Sequence, residues 1–213
     1  GDVYMRQLLE TLVFESIRVS GEVSLKWPAA GIDSLTAGGL WAKNGSGQGF
    51  RELDFIGGVD FKRTSFQGPE YRETLTAERL QLRMDDLGAI QSLRAQGYPS
   101  IHMARTPQSV SVNAETELSF NFKEGALARM ETWGNSTLKE VTQNGTLQID
   151  ASSFDIAFLD GSIKKCTARG PVETLRASKS GEQVSRCEYL EVDYASSGQI
   201  NRIVQTGNVE ISQ

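Results

Sequence analysis

Histidine and cysteine are scarce in this sequence of 213 residues, which contains one histidine and two cysteines. These numbers fall short of the four side chains that hold a structural zinc ion. A Ser-His-Asp triad would have to use His102, which lies between Ile101 and Met103 on a predicted strand and should therefore face solvent. The G-x-S-x-G motif, which places the nucleophilic serine of α/β-hydrolases on a sharp turn, is missing as well. We therefore expect no metal site, no cofactor and no enzymatic activity.

The sequence also lacks an excess of positive charge and any long apolar run. It has 22 Lys and Arg against 27 Asp and Glu, a net charge of −5. A nucleic-acid partner would require a basic face, so that class of partner is disfavoured. No apolar run approaches the roughly 20 residues that cross a bilayer. Residues 1–14 lack the basic head and small-residue cleavage site of a secretory signal. We expect no transmembrane segment.

Glycine, in contrast, is frequent, and pairs of glycines nine residues apart recur along the sequence. The pairs are Gly49/Gly58, Gly88/Gly97, Gly125/Gly134, Gly161/Gly170 and Gly198/Gly207. Their second members are 39, 37, 36 and 37 residues apart, and Gly21 precedes Gly58 by 37. A fixed period of this length is typical of stacked supersecondary units. The pattern predicts one domain over residues 1–213, with a short helix at 4–14 that closes one end.

Each unit has the same internal order of strand, turn, strand, corner and strand. Apolar residues alternate before the turn glycine, for example Phe154, Ile156 and Phe158, as expected for a half-buried strand. After the turn glycine, apolar residues follow at two and at five positions. This change from even to odd spacing predicts a bulge in the return strand. The sequence therefore predicts an all-β, antiparallel sandwich built from repeats of about 37 residues.

The apolar columns of such a sandwich leave two alternatives for its interior. If the two sheets pack fully, the columns form a structural core; if they splay, they line a trough for acyl chains, each buried methylene contributing about 0.8 kcal/mol. The trough would be lined by Leu80, Leu82, Ile90, Leu93, Leu118, Phe120, Leu127, Met130, Phe154, Ile156, Ile163, Leu190, Val192, Ile200 and Ile203. The closing strand, with Val209 and Ile211, would present an unpaired edge to which another copy or a related protein could add a strand.

The two cysteines, Cys166 and Cys187, also leave two alternatives. They are either small buried apolar side chains or partners in one disulfide.

Several short phrases resemble the OstA/LptA family of lipopolysaccharide-transport proteins, to which LptC and the N-terminal domain of LptD are related. The segment C-E-Y-L-E-V-D at 187–193 is similar to the family phrase A-D-x-φ-x-φ-D, where φ is apolar. The segment T-A-E-R-L-Q-L-R at 76–83 is a looser copy, and I-V-Q-T-G-N-V-E-I at 203–211 is similar to A-x-G-N-V. The resemblance covers residues 18–213 and depends on the repetition of these phrases.

The resemblance implies an open, twisted β-jellyroll in the periplasm of a Gram-negative cell. It also implies a role in outer-membrane biogenesis, in which lipopolysaccharide is held by its lipid A acyl chains in a hydrophobic groove. Edge strands would join this protein to itself or to other Lpt-type jellyrolls, and a separate ATPase would supply the energy. The competing interpretation is a β-solenoid scaffold or adhesin with a fully packed interior.

Overall fold

The computed structural model describes residues 16–28, 32–44, 50–64, 71–86, 88–105, 108–160, 162–179 and 181–212. The helix expected at residues 4–14 and the glycine-rich turn at 45–49 lie outside these ranges. Sixteen strands account for most of the described residues, and none of these residues belongs to a helix that could span a membrane. The strands are β1 Ser16–Trp27, β2 Ile32–Asn44, β3 Phe50–Thr64, β4 Tyr71–Met84, β5 Ile90–Gln96, β6 Ser100–Arg105, β7 Gln108–Ala114, β8 Glu117–Lys123, β9 Ala126–Trp133, β10 Ser136–Thr142, β11 Gly145–Ala151, β12 Ser153–Leu159, β13 Ser162–Ser178, β14 Gly181–Tyr194, β15 Ile200–Thr206 and β16 Glu210–Ser212.

All strand pairs are antiparallel, and the strands bend or turn so that they form two facing layers. Sheet I contains residues 16–20, 39–44, 50–56, 79–84, 90–96, 117–123, 126–133, 153–159, 162–169, 189–194 and 200–206. Sheet II contains residues 23–27, 32–36, 59–64, 71–76, 100–105, 108–114, 136–142, 145–151, 172–178, 181–187 and 210–212. The six long strands β1–β4, β13 and β14 contribute one half to each sheet. The prediction of an all-β, antiparallel fold is confirmed.

At five of the corners where the chain passes from one sheet to the other, the second glycine of a pair makes the turn, whereas the corners at Glu78, Ser152 and Glu188 have no glycine. Gly58, Gly97, Gly134, Gly170 and Gly207 all have φ between 75° and 91°. This region strongly favours glycine, and here it lets the backbone change direction between two layers. All corners therefore lie along one long side of the sandwich, the corner side. On the opposite side, the hairpin side, every connection joins two strands of the same sheet.

Ten of the strands form a closed ring of backbone pairing. The ring runs through β4, β5, β8, β9, β12, β13, β11, β10, β7 and β6 and returns to β4. It closes because β4 pairs with β5 through its second half and with β6 through its first half, and β13 bridges β12 and β11 in the same way. The architecture is thus not simply an open trough. The ring closes, however, through β4 and β13, which bend at the corner side. Across the hairpin side the two sheets are in contact through side chains.

The bulges predicted in the return strands are present in four repeats. The pairing shifts by one residue between Ile90 and Ser92, and again between Leu127 and Arg129. The same shift occurs between Ile163 and Lys165 and between Ile200 and Arg202. Each bulge lets both apolar residues of its return strand, two and five positions after the turn, face the interior.

The outer faces of the sheets are polar. On sheet I, Arg129 donates two hydrogen bonds to Asp155, at 2.8 and 2.7 Å, across neighbouring strands. On sheet II, His102 is exposed and its Nδ1 lies 2.8 Å from Ser111 Oγ, as expected for a solvent-facing strand residue. Because polar side chains cover the outer faces, the apolar side chains lie in the space between the sheets.

Replacing Gly170 with alanine is expected to lower the free energy of unfolding by about 2–4 kcal/mol. The residue has φ +91°, and an added Cβ would lie 2.7 Å from Ser152 Cβ. Gly58→Ala is the matched control, because Gly58 has φ +76° but no atom within 4 Å of its added Cβ. Gly58→Ala should lower the free energy of unfolding by only about 1–2 kcal/mol, the cost of placing alanine in this backbone conformation. Urea denaturation of both variants tests this, and equal losses would contradict the packing argument.

Candidate functional site

The apolar interior between the two sheets contains every residue that the sequence predicted to line a trough. All fifteen lie on sheet I, and the strand registers arrange them in three rows. The middle row crosses eight strands as Leu82, Leu93, Phe120, Met130, Ile156, Cys166, Val192 and Ile203. The row nearer the corners contains Leu80, Leu118, Phe154 and Leu190, and the row nearer the hairpins contains Ile90, Leu127, Ile163 and Ile200.

These rows are closely packed along most of their length and become accessible only at one end. Leu80, Leu118, Met130 and Ile156 have no accessible surface. Ile203, at the edge strand β15, is 43% exposed. The interior is therefore buried in the middle of the sandwich and opens toward the edge formed by β15 and β16.

Sheet II supplies the facing wall, which the sequence analysis did not place in the site. It contributes buried apolar residues such as Leu75, Val112, Leu138 and Ile149. Strand alternation could have found them, because they lie in phase with the apolar residues that follow each corner. The same alternation also directs four charged side chains inward near the hairpin side, namely Arg63, Glu73, Glu140 and Arg176.

A cavity of about 80 Å³ lies between the sheets at the open end. Its walls are mostly apolar on sheet I, including Leu190 and Val192, and partly polar on sheet II, including Thr174 and Ser185. Thr174 and Ser185 hydroxyls lie 2.6 Å apart, and Gln205 Nε2 donates across the interior to Ser185 Oγ. Water occupies about 30 Å³ in the liquid, so this space is far too small for an acyl chain.

On the hairpin side the two sheets are held together by side-chain contacts that include two polar ones. Tyr194 Oη on sheet I donates a hydrogen bond of 3.2 Å to Glu140 Oε2 on sheet II. The Arg63 guanidinium on sheet II lies over the Phe122 ring on sheet I, 4.9 Å from its centroid. Such contacts are weaker and more easily exchanged for water than the continuous backbone of the corner side.

Burial changes the pKa values of Glu140 and Tyr194, which form the first of these contacts. Desolvation raises the pKa of Glu140 above its ordinary value of 4.5, although the hydrogen bond from Tyr194 acts in the opposite direction. Desolvation also raises the pKa of the Tyr194 hydroxyl well above 10. The folded state therefore binds a proton at Glu140 more tightly than the unfolded state does. The stability that this proton contributes is complete below about pH 4.5 and is lost as the pH rises through the folded-state pKa.

Replacing Glu140 with glutamine is expected to raise the free energy of unfolding at pH 7 by about 1 kcal/mol. Glutamine removes the buried charge and keeps an oxygen that accepts the Tyr194 hydrogen bond. The variant should also lose part of the gain in stability that acidification toward pH 4.5 gives the wild type. The remaining part of this gain should persist, because desolvation also raises the pKa of Glu73, which is unchanged in the variant. Denaturation curves between pH 4.5 and 8 test this, with exposed Glu182→Gln as the control.

Both cysteines are free and buried, so the disulfide that the sequence left open is not formed in the structure. Cys166 pairs with Val192 in sheet I, whereas Cys187 pairs with Val172 in sheet II. Desolvation raises the pKa of the Cys166 thiol to about 12, which keeps it protonated and unreactive at neutral pH.

Ile211 in β16 and Val209, which directly precedes that strand, lie at the accessible edge of the sandwich. Within the described residues, β15 and β16 pair only with β14. Val209 is 45% exposed and Ile211 is 59% exposed. The C-terminal edge therefore combines free backbone pairing positions with accessible apolar side chains.

A larger cavity, of about 460 Å³, lies near the corner side of sheet II. Its lining includes Thr137, Asp150, Glu173 and Arg186, and the Arg186 guanidinium donates a 2.7 Å hydrogen bond to Glu173. Thr137 donates a short hydrogen bond to Asp150. These polar groups are thus engaged with one another. Across the described ranges no three His, Cys, Asp or Glu side chains are grouped so that they could hold a metal ion.

Neither a scan against known protein-family models nor a search of curated proteins gives a match for this chain.

Proposed function

We propose that this protein is a non-catalytic carrier that holds the acyl chains of lipopolysaccharide between its two sheets, as one component of a periplasmic transport bridge. The observation that carries the proposal is the asymmetry of the sandwich. Its apolar inner faces are joined by backbone along the corner side, whereas side-chain contacts hold them together along the hairpin side. A sandwich of this design can open like a hinge without breaking a strand ladder.

Opening would replace contacts between the two sheets by contacts with lipid. The buried rows of sheet I are apolar, and the facing residues of sheet II are mostly apolar, with Thr174 and Ser185 among the exceptions. Each acyl methylene transferred from water to this interior would contribute about 0.8 kcal/mol. Because the cavity of about 80 Å³ cannot hold a chain, loading requires the sheets to part.

The edge formed by β15 and β16 supports the bridge component of the proposal. Unpaired strand edges add further strands readily, and a second sandwich placed there would extend both sheets and the interior between them. Lipid could then move from one protein to the next within a continuous apolar interior. The edge would accept either another copy of this chain or a protein of the same fold.

A second candidate function, a structural scaffold, is favoured by the close packing of the interior. Phe55, Leu80, Leu118 and Met130 are fully buried, as in an ordinary core. In that case the sheets would not part, and only the edges and outer faces would take part in binding.

Binding of a lipid A analogue distinguishes the two candidates. The purified protein is titrated with the analogue and, separately, with the same sugar without acyl chains, with displacement of an apolar fluorescent dye as the signal. We expect saturable binding of the acylated compound alone. A folded protein that binds neither the analogue nor the dye would exclude the carrier function.

The edge contact is tested by sedimentation over a range of protein concentrations. We expect association that increases with concentration, and Ile211→Lys should weaken it by placing a charge at the edge. The control is Lys164→Ala, which changes an exposed residue on the outer side of β13, away from the edge. A strict monomer at high concentration that also binds no protein of similar fold would contradict the assembly proposal.

A further inference from the structure

A buried ion pair lies on the hairpin side of the largely apolar interior. Arg63 on β3 and Glu73 on β4 are directly paired in sheet II, and Arg63 Nε lies 3.1 Å from Glu73 Oε2. The Arg63 side chain is 3% exposed and that of Glu73 is 12% exposed. An arginine buried to this extent loses its hydration, and it is normally compensated by several well-directed hydrogen bonds.

The compensation of Arg63 is incomplete. Its Nε is buried and makes no hydrogen bond, because the N–H is not directed at the nearby carboxylate. Glu73 is a poor counterion in this position, since desolvation raises its pKa and outweighs the opposing effect of Arg63. The guanidinium therefore retains a donor for which the described side chains supply no acceptor.

The face of the guanidinium is covered by Phe122, which belongs to the opposite sheet. If the sheets part on the hairpin side, Phe122 moves away with sheet I while Arg63 stays on sheet II. The cation would then lie at the mouth of the apolar interior, paired with Ile32 on β2, with Met103 on β6 beyond Glu73. This is the position that the polar head of an amphiphile would occupy if its acyl chains were inside.

We propose that Arg63 is an anchoring site for a phosphate or carboxylate group on the head of an amphiphile whose acyl chains enter between the sheets. The inference rests on the proposed carrier function and adds the chemistry by which the head is recognised. An anionic oxygen would accept the unused Nε–H, and guanidinium groups bind phosphate and carboxylate through paired hydrogen bonds. The anion would also replace Phe122 as the group that covers the guanidinium.

The experiment compares two lipids that differ only in the head, phosphatidic acid and diacylglycerol with identical acyl chains, and inorganic phosphate as a third probe. Affinities are measured by displacement of an apolar dye and by calorimetry. We expect the wild type to bind phosphatidic acid at least tenfold more tightly than diacylglycerol. Inorganic phosphate alone should bind weakly, because the closed sandwich buries Arg63.

The double variant Arg63→Met with Glu73→Gln removes the cation without leaving an unpaired carboxylate. Its preference for phosphatidic acid should fall to about one, while its affinity for diacylglycerol stays within about twofold of the wild type. Glu73→Gln alone removes the competing anion and should increase the preference threefold or more. Arg94→Met, at an arginine that is 55% exposed and paired with Glu117 on sheet I, should leave the preference unchanged.

The outcomes separate this inference from the function on which it rests. If the wild type binds neither lipid, the carrier function fails and the anchoring site fails with it. If the wild type binds both lipids equally, or if the double variant keeps the preference, only the anchoring site is overturned. Phosphate binding as tight as that of phosphatidic acid, and dependent on Arg63, would assign the site to a free anion instead.

Discussion

Replacing Phe120 with alanine is expected to lower the free energy of unfolding by about 3–5 kcal/mol. Phe120 is 2% exposed and lies in the middle row of sheet I, paired with Leu93 and Met130 on the two neighbouring strands. Its ring is part of the packing that fills the space between the sheets. The substitution therefore loses the free energy gained by transferring the ring out of water. It also leaves a cavity, which destabilises the folded state further.

The measurement is a urea denaturation curve, with Leu159→Ala as the control for loss of a large apolar side chain. Leu159 lies at the end of β12 and is 57% exposed, so its loss should cost less than about 1 kcal/mol. The cavity left at residue 120 should also admit an acyl chain with less opening of the sheets. We therefore expect the variant to recover part of its stability when the lipid A analogue is present. A loss below 1 kcal/mol for Phe120→Ala would contradict the packing described here.

Linking the two sheets across the hairpin side is expected to reduce lipid binding at least tenfold. The link is made between cysteines placed at Glu140 and Tyr194, whose side chains meet there from opposite sheets. Facing sheets lie about 10 Å apart, so a bifunctional thiol reagent of that span is required, with a bond that can be cleaved by reduction. A linked mouth cannot widen, and the cavity of about 80 Å³ cannot accept a chain.

The same double-cysteine protein before linkage and after cleavage of the reagent is the internal control, because its sequence is identical. Cys166 and Cys187 are buried and should react slowly. A second control joins cysteines at Asn121 and Arg129, which are paired within sheet I. That link should leave lipid binding unchanged. Undiminished binding after linkage across the mouth would exclude entry from the hairpin side, and a scaffold with sheets that do not part would bind no lipid before or after linkage.

Local backbone requirements were the most predictable part of the fold. The nine-residue glycine pairs located one corner in each repeat, where the backbone has a positive φ that favours glycine. They did not locate the corners at Glu78 and Glu188, which form without a positive φ. The odd spacing after each turn located the bulges at Ile90, Leu127, Ile163 and Ile200, because only an extra residue lets both flanking apolar residues face the same side. Repetition made these patterns visible where one copy would have been ambiguous.

The candidate site was predictable as a set of apolar residues but not as an arrangement. Alternation identified the inward-facing residues, and the structure places all fifteen on one sheet in three rows. The wall on sheet II and the inward charges of Arg63, Glu73, Glu140 and Arg176 were not predicted as part of the site, although the same alternation applies to them. They were passed over because charged residues in strands usually face solvent.

The repeat, the strand order within each unit, the glycine corners and the inward faces could be predicted from the amino-acid sequence, because they follow from local geometry and the period of two in a strand. Tertiary structure was needed to show that ten strands close into a ring and that the described interior is packed with one accessible end. It also decided that side chains, rather than backbone, hold the hairpin side together. These features depend on which strands meet across the interior, and residues such as Glu140 and Tyr194, 54 positions apart, are brought together only when the two sheets face each other.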